Sequence, residues 1–404
     1  MTAAGDSNAT ARGFLTQRRL TLAGTVLVVA GLLVAFRDVE FGRVVSEMAA
    51  ADPWLLAAAA GVYAASWPLR GRRYGDVLKT TGHPLETGFL TLAVFLSQTA
   101  NLVVPARAGD AVRAYVLRAR RSVDYPAGFA SLAVERGFDL AAIAVLGAAA
   151  SAWLLVGEST ALATLLAGDA RPAVLGAAGV ALATLVAGVL TLGVANAGLS
   201  VGDRLRGVVA GRPRLGRVVA AGLDFAGDIA VVARDPRAVA VIGGGSLLIW
   251  SLDVATAVLV LAALDSGLAV GPLLAVGTLA VSVGNLAKVL PLSQGGVGLY
   301  EAAFTGLVVA LTPLGASLAL AAAVVDHALK NAITLVGGGV AVTVLGIDPS
   351  TAARRGADAD AETTAADTAG TTDNATATAA ATEPRVSGEA RADGSGGETR
   401  GADD

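Results

Sequence analysis

Charged and amide side chains sit inside the most apolar stretches of this sequence, and they recur at helical spacing. Glu135 and Asp139 lie four residues apart, hence on one face of a helix, with Arg136 beside them. Asp326 with Lys330, and His327 with Asn331, repeat that relation, so these side chains share one helical sector. An ionisable group at membrane depth is expensive, and it persists where it is paired or faces a water-filled cavity. Arginine offers a planar fork of donors that suits carboxylate or phosphate. Arg107, Arg113 and Arg136 are therefore candidates to hold phosphate. Glu135, Asp139 and Glu301 are candidates to hold cationic or hydroxyl groups, or to open and close ion pairs. The competing reading is structural: Glu135 with Arg136, and Asp326 with Lys330, would be pairs that hold helices together. Asp253 is a lone acid in mid-run, with no partner that the sequence identifies.

Two interrupted stretches carry the strongest signal. Residues 101–115 read NLVVPARAGDAVRAY, and residues 284–301 read GNLAKVLPLSQGGVGLYE. Both run Asn-Leu, then a proline, then a glycine four residues past the proline. Polar, helix-breaking sequence at membrane depth is costly unless it lines a cavity within protein. A glycine-rich break also exposes backbone N–H groups at a half-helix N-terminus, which attract anions. Paired interrupted segments in two halves of a membrane protein point to a site between repeats. The first stretch supplies Asn101, Arg107, Asp110 and Arg113 as candidate binding residues. The second supplies Asn285, Lys288, Gly295, Gly296 and Glu301. Alternatively, Asn101 and Asn285 only cap broken helices, and the glycines serve close helix packing.

Composition sets the class. The chain of 404 residues is 54% hydrophobic and only 16% charged. A soluble domain is nearer a quarter charged, and long apolar runs recur here, so many membrane spans are expected. Cysteine is absent, and the only histidines are His83 and His327. No GxxxxGK[ST] or HExxH pattern occurs. We therefore expect no catalytic residues, no metal and no cofactor in this chain, and no nucleic-acid partner. Arginine-rich segments, scarce lysine and an acidic C-terminal stretch suit a GC-rich prokaryote, archaeal or bacterial.

The elements that must position these residues follow from hydropathy. Residues 1–19 read as a cytoplasmic tail. Arg18-Arg19 resembles a twin-arginine signal, but the apolar run 20–36 is long and no cleavage site follows, so a first span is expected. A loop is expected over 37–52, and a second span over 53–69, with Trp54 and Trp67 at its interfaces. The basic stretch 71–79 reads as a cytoplasmic loop. Residues 86–104 enter the membrane and break, and a re-entrant hairpin keeps the following basic segment inside. Residues 126–156 form a long tilted span, residues 172–195 return, and 198–237 make a basic cytoplasmic connection. Residues 238–264 cross again, and 271–311 form a second interrupted segment dipping from the opposite side. Residues 314–345 make one long helix or a broken one. Residues 348–404 are poor in apolar side chains and read as a disordered acidic tail. The expectation is an all-α polytopic membrane protein of about 6–8 spans plus two re-entrant or broken helices. It occupies residues 20–347, with both termini cytoplasmic and the two halves related as an inverted repeat.

Four of these motifs, in this order, resemble the lysylphosphatidylglycerol synthase transmembrane-region family, also called flippase-like or UPF0104 membrane proteins. The matching pieces are NLVVPARAGDAVR, ERGFDL, LPLSQGGVGLYEAAF and DHALKN, spread over residues 20–345. The resemblance implies a membrane region linked to moving lipids with polar heads across the bilayer. Some members add a cytosolic aminoacyltransferase domain; a tail stands at that place here, so synthase activity is not carried over. Ser293-Gln294 precedes the glycine pair where the family usually has a small residue or proline. The expected partner is a membrane lipid of anionic or polyprenyl-phosphate type. The alternative is a membrane subunit of a lipid-linked glycan or head-group modification system, working with a soluble transferase.

Overall fold

The computed structural model describes residues 39–104, 109–157, 234–288 and 294–348, with a few flanking positions. The chain divides into two units, Met1–Ala359 and Asp360–Asp404, and the described residues all belong to the first. The expected spans 20–36 and 172–195, most of the connection 198–237 and nearly all of the tail lie outside the described residues.

The described elements are helical. They are α1 (Phe41–Ala50), α2 (Pro53–Thr80), α3 (Thr87–Val103), α4 (Gly109–Arg121), α5 (Tyr125–Gly157), α6 (Pro236–Ala263), α7 (Val270–Ala287), α8 (Leu299–Leu311) and α9 (Ala316–Leu345). A short 3-10 turn, Gln294–Gly296, precedes α8. Four described segments are long and apolar enough to cross a membrane: Ala127–Leu154 within α5, and α6, α7 and α9. The pair α1 and α2, bent by 85°, makes a fifth if taken together. The protein is thus a polytopic all-α membrane protein.

Local signals set the helix ends. Asp52 accepts hydrogen bonds from the Trp54 and Leu55 amides, and Pro53 opens α2. Asp235 and Pro236 open α6 in the same way. A carboxylate cap followed by proline satisfies the orphan amides of a first turn without losing a bond. α9 runs unbroken through Asp326–Asn331 and stops at Gly346, whose φ of 60° is the left-handed cap that glycine adopts cheaply.

Helix order and packing repeat. Each half runs a long helix, an interrupted hairpin and a second long helix: α2, α3–α4, α5, then α6, α7–α8, α9. α2 packs along α6, α3 packs on α9, and α7 packs on α5. Each half therefore lends the first arm of its hairpin to the closing helix of the other. One apolar cluster joins Tyr74, Leu90, Leu96 and Leu117 to Leu345 at the end of α9. A second joins Leu261, Val281, Phe304 and Leu320 at its beginning.

Both breaks are folded as hairpins, with α3 against α4 and α7 against α8. The glycine of each motif explains its spacing. Asn101 Oδ1 accepts the Gly109 amide proton at 2.9 Å, closing the first break. A side chain at Gly109 would strike the Ser97 carbonyl and Asn101. Gly295 has φ 63°, and a side chain there would strike Leu102 of the first hairpin. The end of α3 and the turn before α8 therefore touch.

Three sequence expectations change. Residues 41–50 are a helix, not part of a loop; Val44 is buried, in the cluster joining α6 to α9. Residues 71–79 are not a loop but the last turns of α2, with Arg73, Tyr74, Val77 and Leu78 buried. The basic residues misled because only Arg72 and Lys79 of that stretch point outward as exposed cations. Trp67 consequently lies mid-helix, buried and stacked on Phe95 at 3.6 Å, whereas Trp54 is exposed as an interface residue would be.

Gly295→Ala is expected to lower stability by about 1–3 kcal/mol through strain and collision with Leu102. Gly306→Ala, at an exposed helical position with open space, is expected to be neutral or mildly stabilising. Thermal unfolding of the two variants in detergent checks the contrast.

Candidate functional site

The first charge network gathers on α5. Its Glu135 and Asp139 face α2, where Arg73 reaches both. Arg73 Nη2 is 2.5 Å from Glu135 Oε1, and Nη1 donates to Asp139 Oδ1 and, at 2.9 Å, to Ser246 Oγ of α6. Arg113 of α4 donates to Glu135 Oε2 at 2.5 Å and lies over the Tyr74 ring. The Trp250 indole donates to Asp139 Oδ1 at 2.8 Å. Three helices, α2, α4 and α6, thus converge on two carboxylates of α5. Arg136, next along α5, donates instead to Asp110 of α4 at 3.0 Å, and both are partly exposed.

The second network gathers on α9. Lys330 Nζ sits 3.0 Å from Asp326 Oδ2 and 3.0 Å from Asp253 Oδ2 of α6. The partner of the lone mid-span acid is therefore a lysine of another helix, which no local spacing reveals. Asp326 also accepts the Tyr300 hydroxyl at 2.5 Å. Arg70 of α2 approaches Asp253 only to 3.8 Å. One turn away, His327 Nδ1 lies 2.6 Å from Glu301 Oε1, while Glu301 Oε2 accepts the Gly298 amide proton at 2.6 Å. Glu301 therefore caps α8 and ties it to α9.

Between the networks, and beneath the touching breaks, lies a cavity of about 460 Å³. From the first half it is lined by Asn101, Asp110, Glu135, Arg136 and Asp139. From the second half it is lined by Asn285, Lys288, Gly295, Gly296, Lys330 and Asn331. The structure thus brings these sequence candidates to one place. Arg113, Glu301, Asp326 and His327 stand behind the wall, in the pairs just described. Arg107 lies outside the described residues. Asn101 both closes its hairpin and faces the cavity, so capping and lining are not exclusive roles.

Sequence reasoning missed Arg70, Trp67, Tyr63, Trp250 and Asp253 in the wall, and Arg73 behind it. Arg70 and Arg73 share a helix face, a signal available had α2 been carried past residue 69. Electrostatically the wall is nearly paired. The exception is Lys288 at the end of α7, whose ammonium lies 4.1 Å from the Tyr300 ring centre and has no carboxylate partner among the described residues. Arg70 is held only loosely, between Asp253, the Tyr63 and Trp67 rings and the Ser66 hydroxyl. Such cations attract an anion, and the amides of Asn101, Asn285 and Asn331 supply neutral hydrogen-bonding groups beside them.

Apolar spans enclosing a charged cavity between two broken hairpins define a polytopic helical membrane protein with an internal polar site. The sequence matches the family described as the lysylphosphatidylglycerol synthase TM region over residues 21–338, and the chain belongs to that family. It is also 46% identical over 365 residues to a protein of Haloferax volcanii named glycosyltransferase AglD. That alignment covers 86% of this chain and 58% of the relative, so the chain spans less than two thirds of the relative's length.

Arg73→Ala is expected to destabilise the fold by about 3–5 kcal/mol, because it leaves Glu135 and Asp139 buried with one partner fewer. Arg72→Ala, exposed one residue earlier, is expected to change stability by about 0.5 kcal/mol or less. Unfolding midpoints in detergent check both.

Proposed function

We propose that this protein binds the phosphate-bearing head group of an anionic or polyprenyl-phosphate-type lipid in the central cavity and carries it across the cytoplasmic membrane. The observation that carries the reading is Lys288, a cation facing the cavity without a carboxylate partner among the described residues. Arg70 and Arg136 flank the same space with long or half-exposed ion pairs, which an incoming phosphate can replace. Lys330 is different. It is committed to two carboxylates and holds the second half together. The aromatic faces of Trp67, Tyr63 and Trp250 complete the wall and suit the uncharged part of a head group.

Transport rather than static binding is supported by the duplicated hairpins. Discontinuous helices that meet at a shared site are the parts that alternating-access carriers move. In this reading the halves form an inverted repeat, with the hairpins dipping from opposite leaflets and both termini cytoplasmic. The resemblance of the four sequence motifs to flippase-like membrane proteins points the same way.

A second reading is favoured by the relative named as a glycosyltransferase. The chain would then be the membrane part of a lipid-linked glycan or head-group modification system, handing lipid to a transferase partner. Turnover by the purified chain alone, without any partner, separates an enzyme from a carrier.

Lys288→Gln and Arg136→Gln are each expected to weaken retention of an anionic lipid about 10–100-fold, the loss of one charge-assisted contact. Their unfolding midpoints should stay near wild type. Native mass spectrometry of the purified protein reads retained lipid, and a scrambling assay in proteoliposomes reads transport. Wild-type lipid retention and transport in both variants would remove the head group from this cavity.

A further inference from the structure

We propose that head-group binding in the cavity takes up a proton from solvent, and that its acceptor is Nε2 of His327. The inference rests on the head-group reading above and adds what balances the charge.

The balance can be read from the two networks. In the first half, Arg73, Arg113 and Arg136 face Glu135, Asp139 and Asp110. In the second, Arg70, Lys288 and Lys330 stand against Asp253, Asp326 and Glu301. Among the described residues the cavity and its supports are therefore neutral as long as His327 is neutral. A monoanionic phosphodiester placed among them leaves one negative charge in excess, in surroundings where an uncompensated charge is costly. One added proton restores neutrality.

His327 is built to receive it. With Glu301 ionised, Nδ1–H donates to Glu301 Oε1 at 2.6 Å, which leaves the Nε2 lone pair as the basic site. That nitrogen is buried and has no hydrogen-bond partner among the described residues, and the residue is only 2% exposed. The charged and titratable groups facing the ring are Glu301 and Tyr300 from α8, Lys288 from the end of α7, and Asp326 from its own turn. Asp253 of α6 and Tyr63 of α2 stand one step further, through Lys330. Lys288 is the link to the cavity: it lines the cavity, its ammonium lies 4.1 Å from the Tyr300 ring centre, and the His327 ring lies 4.7 Å from that same ring. Neutralising Lys288 with phosphate removes the cation that opposes a proton on the ring. By linkage, a proton on the ring strengthens phosphate binding by the same factor.

The test is titration calorimetry of the full-length chain in detergent with dihexanoyl-phosphatidylglycerol, a phosphodiester that does not titrate near neutral pH. Repeating it in buffers of different ionisation enthalpy reads the protons taken up. The expected uptake is about one proton per head group, with affinity falling about tenfold per pH unit on the alkaline side. His327→Gln should take up none and bind with the wild type's weak alkaline affinity at every pH. Glu301→Gln removes a negative charge permanently, so it should bind tightly with no proton uptake. Opposite effects from two members of one dyad are not what loss of a structural contact produces. Wild-type binding without proton uptake, or unchanged uptake in His327→Gln, overturns this inference and leaves the head-group reading standing. No binding of this probe by the wild type overturns the inference together with the phosphodiester form of the head-group reading.

Discussion

Charge compensation away from water is the constraint on which this structure depends. Glu135 and Asp139 on α5 and Asp253 and Asp326 on α6 and α9 are buried side chains in an otherwise apolar bundle. Each would be prohibitive alone. Glu135, Asp139 and Asp253 are each met by a cation from a different helix, and Asp326 by Lys330 of its own, so the ion pairs between helices fix which helices are neighbours and in what register. Arg73 is the clearest case: one guanidinium binds two carboxylates of α5 and a hydroxyl of α6. Apolar packing alone would not select these contacts, because lipid tails offer helices much the same environment as one another do.

The breaks follow from the same constraint. A polar pocket inside a membrane protein needs backbone that can turn back, and helix interiors forbid that. Proline and glycine at matched spacing mark both interruptions in the sequence, and two backbone amides beside them are satisfied locally. Asn101 takes up the Gly109 amide and Glu301 takes up the Gly298 amide. Gly295 lies close enough to Leu102 to bring the two breaks together. The cavity exists because two interrupted hairpins meet, not because one helix bends.

The duplicated order of helices gives the arrangement its economy. α2 and α6 begin with the same Asp-Pro pair, and each hairpin's first arm packs on the closing helix of the opposite half. The two charge networks are correspondingly similar but not identical. The α5 network is closed around its carboxylates. The α9 network leaves Lys288 over a tyrosine ring and, among the described residues, a histidine nitrogen without a partner. Function in a duplicated membrane protein is expected where the halves stop matching.

The sequence by itself determined the class, and it named much of the lining of the candidate site. Hydropathy marked α5, α6, α7 and α9, and the paired Asn-Leu, proline and glycine pattern marked both breaks. Those signals are local, since an apolar run and a helix breaker act within their own few turns. The i,i+4 relation likewise found the Asp326–Lys330 pair. Only the tertiary structure decided that α2 continues to Thr80, that Arg73 serves α5, and that Asp253 belongs to Lys330. A basic stretch reads the same whether its arginines face water or a carboxylate 62 residues away in the chain. The pairing of a buried charge is a long-range electrostatic choice, and no spacing along the chain encodes it.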